Sequence, residues 1–334
     1  MKHILASDVG GTKVIMALLR VEAQGMVSLA EKTYPSADYA DYADIVRDFR
    51  AQYDTPVDAT GIGVAGPVFD RRCQATNLPW VLDARELERT LPVGRVAMVN
   101  DFKAAALGVL HLGPADWVDL NPEANAPEPT GPIAILGAGT GLGQAFLFHA
   151  AGKYHVISSE GGHTDFAPRN EDEIGLLRFL MKRHGRVSYE RVVSGMGITA
   201  IYEYLVDANG GVENPAVRQA IDLEKDDPAV ISRFALAKDD PLCEKALDMF
   251  MAVYGAEAGN LALKVIATGG IFVTGGIAPK NIEKLKDGTF LTAFKTKGRF
   301  SPLVASFPVR IVMNKNVGLL GAAAAALELE QLNP

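Results

Sequence analysis

Apolar, β-branched runs at residues 4–8 and 14–19 flank a glycine turn, Gly10-Gly11-Thr12. That pattern predicts a β-hairpin, because Val14-Ile15-Met16-Ala17-Leu18-Leu19 suits a strand better than a helix. Further buried strands are expected at 61–64 and 96–99, with an amphipathic helix over 40–53. A helix over 102–112 is expected to open directly after Asn100-Asp101. The second half repeats the theme: strand-like runs at 133–136 and 144–148 flank Gly137-Ala138-Gly139-Thr140-Gly141-Leu142-Gly143. Helical spacing follows over 171–184, 197–206, 228–237 and 241–267. A strand at 270–274 leads into Gly275-Gly276-Ile277, with a helix from Pro279, a strand at 309–313 and an alanine-rich helix over 317–329. A hairpin with a glycine turn therefore occurs twice, each time ahead of mixed α/β structure, which is a weak internal repeat of architecture. Residues 121–132, with four prolines, and 207–214, with two glycines and two asparagines, are expected to be exposed loops.

Composition narrows the class. A chain of 334 residues is long for one core, so two domains are expected. The hydrophobic fraction of 48% with 22% charged residues suits a soluble globular protein. A net charge of −7, with no clustered Lys and Arg, argues against a nucleic-acid surface. Two cysteines, Cys73 and Cys243, exclude a disulfide framework and a CxxC metal motif, in keeping with a reducing cytoplasm. The start of the chain lacks the apolar core of a secretory signal. Glu257, Lys264 and several glycines interrupt the longest apolar stretch, at 249–278, so it is expected to be buried helix, turn and strand with no membrane span.

The candidate chemistry lies in the turns. Glycine lets backbone approach an anion, and successive N–H groups in such turns form phosphate-sized concavities. Gly61-Ile62-Gly63-Val64-Ala65-Gly66 matches GxGxxG, but Pro67 and an irregular polar stretch follow where a dinucleotide site needs a helix. A looser GxGxxA at Gly195–Ala200 precedes a helix and is expected to be a tight helix start. Asp101, at the end of a strand, is either a helix cap or a general base for an attacking hydroxyl. Glu160-Gly161-Gly162-His163-Thr164-Asp165 alternates acceptors and donors, as a polyhydroxylated ligand requires. A metal on His163 and Asp165 would have only two ligands.

Together these segments resemble the hexokinase–actin–Hsp70 superfamily of two-lobed ATP-handling proteins, and within it the bacterial glucokinases abundant in proteobacteria. The resemblance runs nearly end to end, through Asp8–Thr12, Ala65-Gly66-Pro67, Thr76–Trp80, Asn100-Asp101-Phe102, Gly137–Gly143, Glu160–Pro168, Glu190–Gly195, Gly275-Gly276-Ile277, Lys297-Gly298-Arg299-Phe300 and Gly318–Gly321. No cysteine stands between Cys73 and Cys243, unlike the cysteine-rich zinc motif usual in the related repressor/open-reading-frame/kinase (ROK) sugar kinases. The resemblance implies an α/β, ribonuclease H-like/actin-like ATPase fold with an interdomain cleft. The small α/β domain would comprise residues 1–110 plus 315–334, and the large one 111–314.

It also implies roles. Asp8 would act near Mg²⁺, through water, with Gly10, Gly11 and Thr12 in the first phosphate turn of ATP. Gly139, Thr140 and Gly141 would form the second, and Gly275 and Gly276 would lie by the adenosine. Asp101 would be the base that activates the 6-hydroxyl of glucose. Asn100, Glu160, His163 and Glu190 would bond the remaining sugar hydroxyls. A homodimer is implied, and because water could attack ATP in place of the sugar, a cleft that closes on sugar binding is expected on physical grounds. Lys13 stands where many such glucokinases have asparagine, and Asn77-Leu78-Pro79-Trp80 varies the usual pattern. Hexose selectivity, and ATP against polyphosphate as donor, stay open at this stage. A non-catalytic sugar sensor and an actin-like ATPase are the competing classes.

Overall fold

The computed structural model describes residues 2–22 and 25–332. They divide into two compact units, Met1–Asp116 with Asn314–Pro334, and Trp117–Met313. Residues 111–116 and 314, assigned on sequence to the larger domain, belong to the first unit. The side chain and backbone of Asp116 accept bonds from Asn314 at 2.9 and 3.2 Å.

The first unit is built on a five-stranded sheet. Its strands are β1 (His3–Val9), β2 (Lys13–Glu22), β3 (Gly25–Pro35), β4 (Ala59–Val64) and, beyond a small hairpin of β5 (Arg72–Gln74) and β6 (Val81–Asp83), β7 (Arg95–Asn100). The order is β3-β2-β1-β4-β7, antiparallel through β1 and parallel beyond it. The expected hairpin around Gly10-Gly11-Thr12 is β1 and β2, with Val9 opposite Val14. Both faces of the sheet are covered, so its inner strands are continuously apolar. Leu5, Val9, Met16 and Leu18 face helix Tyr42–Gln52 through Tyr42, Ile45 and Phe49. Ile4, Ala6, Ala17 and Ala59 face the C-terminal helix, Val317–Leu332, through Leu319, Ala323 and Ala326.

Small residues on that second face let the helix backbone come close. A Cβ on Gly61 would stand 1.8 Å from the Ala322 carbonyl oxygen, and one on Gly63 would stand 3.0 Å from the Ala104 Cβ. The GxGxxG match is thus a packing surface for helices, and no helix follows it. β3 was not anticipated. It is an edge strand whose side chains, Glu31 and Lys32 among them, are mostly solvated, and it carries the charges that protect such edges.

The second unit repeats the plan. β8 (Trp117–Asp119), β9 (Ile133–Ala138), β10 (Leu142–Ala150), β11 (Lys153–Ser159), β12 (Gly270–Thr274) and β13 (Val309–Val312) form a sheet ordered β11-β10-β9-β12-β13-β8. As in the first unit, three antiparallel strands lead to a strand added in parallel, here β12 on β9. Helix Pro241–Val265 is apolar nearly all round and largely buried, as a central helix must be. Gly255 and Gly259 let it touch helix Thr289–Lys295: a Cβ would meet the Phe290 oxygen at 2.1 Å and the Phe294 oxygen at 2.5 Å. The helix expected from Pro279 is three short ones, Ile277–Lys280, Ile282–Lys286 and Thr289–Lys295, with Gly288 at φ +98° between the last two. Helix Pro215–Glu224, capped by Asn214, was not anticipated after the Asp207–Asn214 loop. No helix among the described residues is long and apolar enough to cross a membrane.

Candidate active site

In the first unit, β1 and β7 flank β4; Asp8 lies near the end of β1 and Asp101 directly follows β7. Asn100 caps the helix Asp101–Gly108. Its side-chain oxygen accepts from the N–H groups of Phe102 and Lys103 at 3.0 and 3.2 Å, and its amide donates to the Gly66 carbonyl. The cap left open for Asp101 on sequence is therefore mainly supplied by Asn100. Asp101 takes a share of the Phe102 N–H at 2.8 Å with one oxygen. The Asn100 amide also bonds the Asp101 carboxyl.

Burial raises the carboxyl of Asp101, against the opposing hydrogen bond from Phe102. Burial also raises Asp8, to about 6. The negative charge of Asp101 adds to the shift, and the Lys13 ammonium partly offsets it. Gly318, in the first turn of the C-terminal helix, closes against Asp8: a Cβ there would stand 3.1 Å from the carboxylate. Such a pair of mutually repelling carboxylates favours a cation. Among the described residues no three His, Cys, Asp or Glu side chains gather into a cage. The donor set instead fits Mg²⁺, which takes one or two carboxylates and completes its shell with water and phosphate oxygens.

The first glycine turn is exposed and internally braced. Gly10 N–H donates to Lys13, the Ser36 hydroxyl to the Gly10 carbonyl, and the Ser36 N–H to the Thr12 carbonyl. Among the described residues, the N–H groups of Gly11 and Thr12 meet no protein acceptor, and these point to the anion-binding part of the turn.

The second unit brings Glu160, His163 and Glu190 together. A 3-10 turn at Gly161–His163 and another at Tyr189–Arg191 face one another. His163 Nε2 lies 3.9 Å from Glu160 and its Nδ1 lies 3.8 Å from Glu190. Glu160 is almost fully exposed, whereas the Glu190 side chain is only 24% exposed. Glu190 is held by the second glycine turn: its Oε2 accepts from the Leu142 N–H at 3.0 Å, and Gly141 leaves it room, since a Cβ there would meet that oxygen at 2.4 Å. Asp165 turns away to Arg186 at 2.6 Å, so His163 and Asp165 do not form a metal pair.

A cavity of about 1040 Å³ opens on the other side of the same glycine turn. Gly139, Thr140 and Gly276 line it. Gly275 does not: it adopts φ +84° and packs against Ala138, where a Cβ would fall 2.4 Å from the carbonyl oxygen. Met196, Thr199 and Asn281 also line the cavity and were not singled out as site residues. The GxGxxA match was the signal for Met196 and Thr199. Helix Gly195–Ala208 is indeed a tight start, with Gly197 against the Val192 carbonyl and Ser194 as cap, and its Gly195 N–H also donates to Gly139 at 2.9 Å.

Comparison with known proteins places this arrangement. A family model described as Glucokinase matches residues 5–329. The chain is 42% identical to a glucokinase of Nostoc punctiforme over 98% of this chain and all of that one. A glucokinase structure from an Antarctic psychrotroph superimposes with a TM-score of 0.87 at 31% identity, covering 98% of this chain and 99% of that one. A ROK family glucokinase from Streptomyces griseus, solved with glucose and AMPPNP, shares the fold, with a TM-score of 0.63 at 22% identity over 98% and 99% of the two chains. The architecture is the actin-like ATPase fold.

Proposed function

The chain belongs to the glucokinase family, enzymes that phosphorylate glucose, and on that premise we propose that it transfers the γ-phosphoryl group of ATP to the 6-hydroxyl of D-glucose, giving glucose 6-phosphate and ADP. The observation that carries this is the Glu160–His163–Glu190 group, tied through Leu142 to a glycine turn that borders a nucleotide-sized cavity. Alternating acceptors and a two-sided imidazole suit neighbouring sugar hydroxyls, each of which donates and accepts.

A sugar hydroxyl is a poor nucleophile, and phosphoryl transfer depends on positioning and electrostatics. Asp101 accepts the 6-hydroxyl proton as that oxygen attacks phosphorus. A carboxyl raised by burial is the stronger base for this. Asn100 holds Asp101 at the first turn of its helix, by capping that turn and by bonding the Asp101 carboxyl, and lies beside the sugar. Glu160, His163 and Glu190 bond the other hydroxyls, which distinguishes glucose from water as acceptor. Gly11 and Thr12 of the first turn, and Gly139, Thr140 and Gly141 of the second, receive the phosphates, while Gly276 borders the adenosine. Mg²⁺, held through Asp8, neutralises phosphate charge when bound. Homodimer assembly and a cytoplasmic location belong to the same proposal.

A coupled assay of ADP release with and without glucose tests it, run as a hexose panel against ATP. Turnover should require sugar. Equal ATP hydrolysis without sugar would indicate an ATPase, and no turnover at all a sensor.

A further inference from the structure

Lys297 opens a sequence segment to which the proposed reaction assigns nothing, yet it sits at the half-buried end of a polar chain that leads into the core. Its ammonium donates to the Ala256 carbonyl and to Asn260 Oδ1, both at 2.7 Å. The Asn260 amide donates to Glu257 Oε2 and to the Tyr189 hydroxyl, both at 3.0 Å. Glu257 is wholly buried in the central helix, and its other oxygen accepts from Gln144 Nε2 at 2.8 Å. Gln144, also buried, ends the chain: its Oε1 has no hydrogen-bond partner among the described residues and lies against Gly161, where a Cβ would stand 2.0 Å away.

A wholly buried carboxylate paired through Asn260 with a half-buried ammonium costs more than packed apolar residues, so the group is not explained by stability alone. Burial and the neighbouring Arg169 push the ammonium down to about 8, against the favourable charge of Glu257. What the chain touches is specific. One branch ends under Gly161, in the turn that carries Glu160 and His163. The other ends on Tyr189, next to Glu190. Tyr189 is further fixed by an edge contact with Phe166 and by its N–H bond to Thr164. The branches thus reach both turns of the sugar group and neither reaches the cavity lined by Gly276.

We infer that Lys297, Asn260 and Glu257 are positioning residues for sugar recognition, clamping the Gly161–His163 and Tyr189–Arg191 turns at the spacing glucose requires. This rests on the glucose-kinase reading above. The glycine at 259 agrees with it, because a Cβ there would strike the Lys297 side chain at 2.5 Å.

The test uses full-length Lys297→Met and Tyr189→Phe, singly and combined, with KM measured separately for glucose and ATP. Losing a charge-assisted bond in the clamp should raise the glucose KM about tenfold in Lys297→Met. The ATP KM should stay within about twofold, since uniform loss of folded enzyme lowers only apparent kcat. Tyr189→Phe, which removes one oxygen, should shift the glucose KM in the same direction, and the double variant should fall short of the product of the two. Lys297→Arg should recover part of the loss. Unchanged glucose KM in folded variants, or equal rises for glucose and ATP, would overturn the inference. Should Lys297→Met not fold, Tyr189→Phe decides alone. Wild-type protein without glucose-dependent turnover would instead sink the underlying function.

Discussion

Glu190 and His163 approach to 3.8 Å between Oε1 and Nδ1, and the opposite oxygen of the same carboxylate accepts the Leu142 N–H at 3.0 Å. On the proposed reading one side chain would serve both a sugar contact and the brace of a phosphate turn. Glu160, almost fully exposed and 3.9 Å from the other side of the imidazole, would serve only the first.

Glu160→Ala and Glu190→Ala should consequently differ. Each removes a sugar acceptor, at about 1–3 kcal/mol, or roughly tenfold to a hundredfold in glucose KM. Only Glu190→Ala should also raise the ATP KM, because Leu142 loses its acceptor. Glu190→Gln retains an oxygen for Leu142 and should restore the ATP KM. Initial-rate kinetics with each substrate varied in turn check this, and an unchanged glucose KM in both alanine variants would remove these residues from the sugar site.

The carboxyls of Asp8 and Asp101 both lie above their ordinary range, Asp8 at about 6. In the proposed mechanism both act in their charged forms, so the rate should fall as pH drops through about 6, with an apparent value that belongs to the pair. Added Mg²⁺ should move that limb to lower pH.

The same shift sets a stability dependence. With its folded value above its unfolded 3.8, Asp8 binds a proton more tightly in the native protein, so its stabilising contribution is complete below 3.8 and is lost as pH rises to about 6. Metal-free Asp8→Asn should accordingly be more stable than wild type by about 3 kcal/mol above pH 6 and close to it near pH 4. Denaturant unfolding at the two pH values checks the sign.

Gly61→Ala separates packing from nucleotide binding. The new methyl would overlap the Ala322 carbonyl, which should cost about 3 kcal/mol or more and lower the melting temperature. A variant with normal stability but weakened ATP affinity would return the GxGxxG segment to the nucleotide.

Both hairpins were legible because glycine turns and β-branched runs are local signals. The edge strand β3 was not, since its solvated Glu31 and Lys32 give it little apolar alternation. Helix Pro215–Glu224 begins directly behind a loop and buries only Val217 and Ile221. Asp101 and Glu160 stood out in sequence by their place beside strands. Glu190 did not, because what holds it is a backbone N–H 48 residues away. The Lys297–Asn260–Glu257 chain was invisible for the same reason: its partners lie on separate elements and meet only in the folded core. Gly275 and Gly276 are adjacent in sequence, yet a positive φ turns the first into the sheet and leaves the second at the cavity.

The most direct test of Asp101 as the base is the rate of glucose-dependent ADP release by Asp101→Asn against wild type, at saturating ATP and glucose. The amide keeps the hydrogen bond to Phe102 but cannot take a proton, so kcat should fall by roughly 10²–10⁴-fold while glucose binding stays nearly intact. A variant that phosphorylates glucose at close to the wild-type rate would contradict the account.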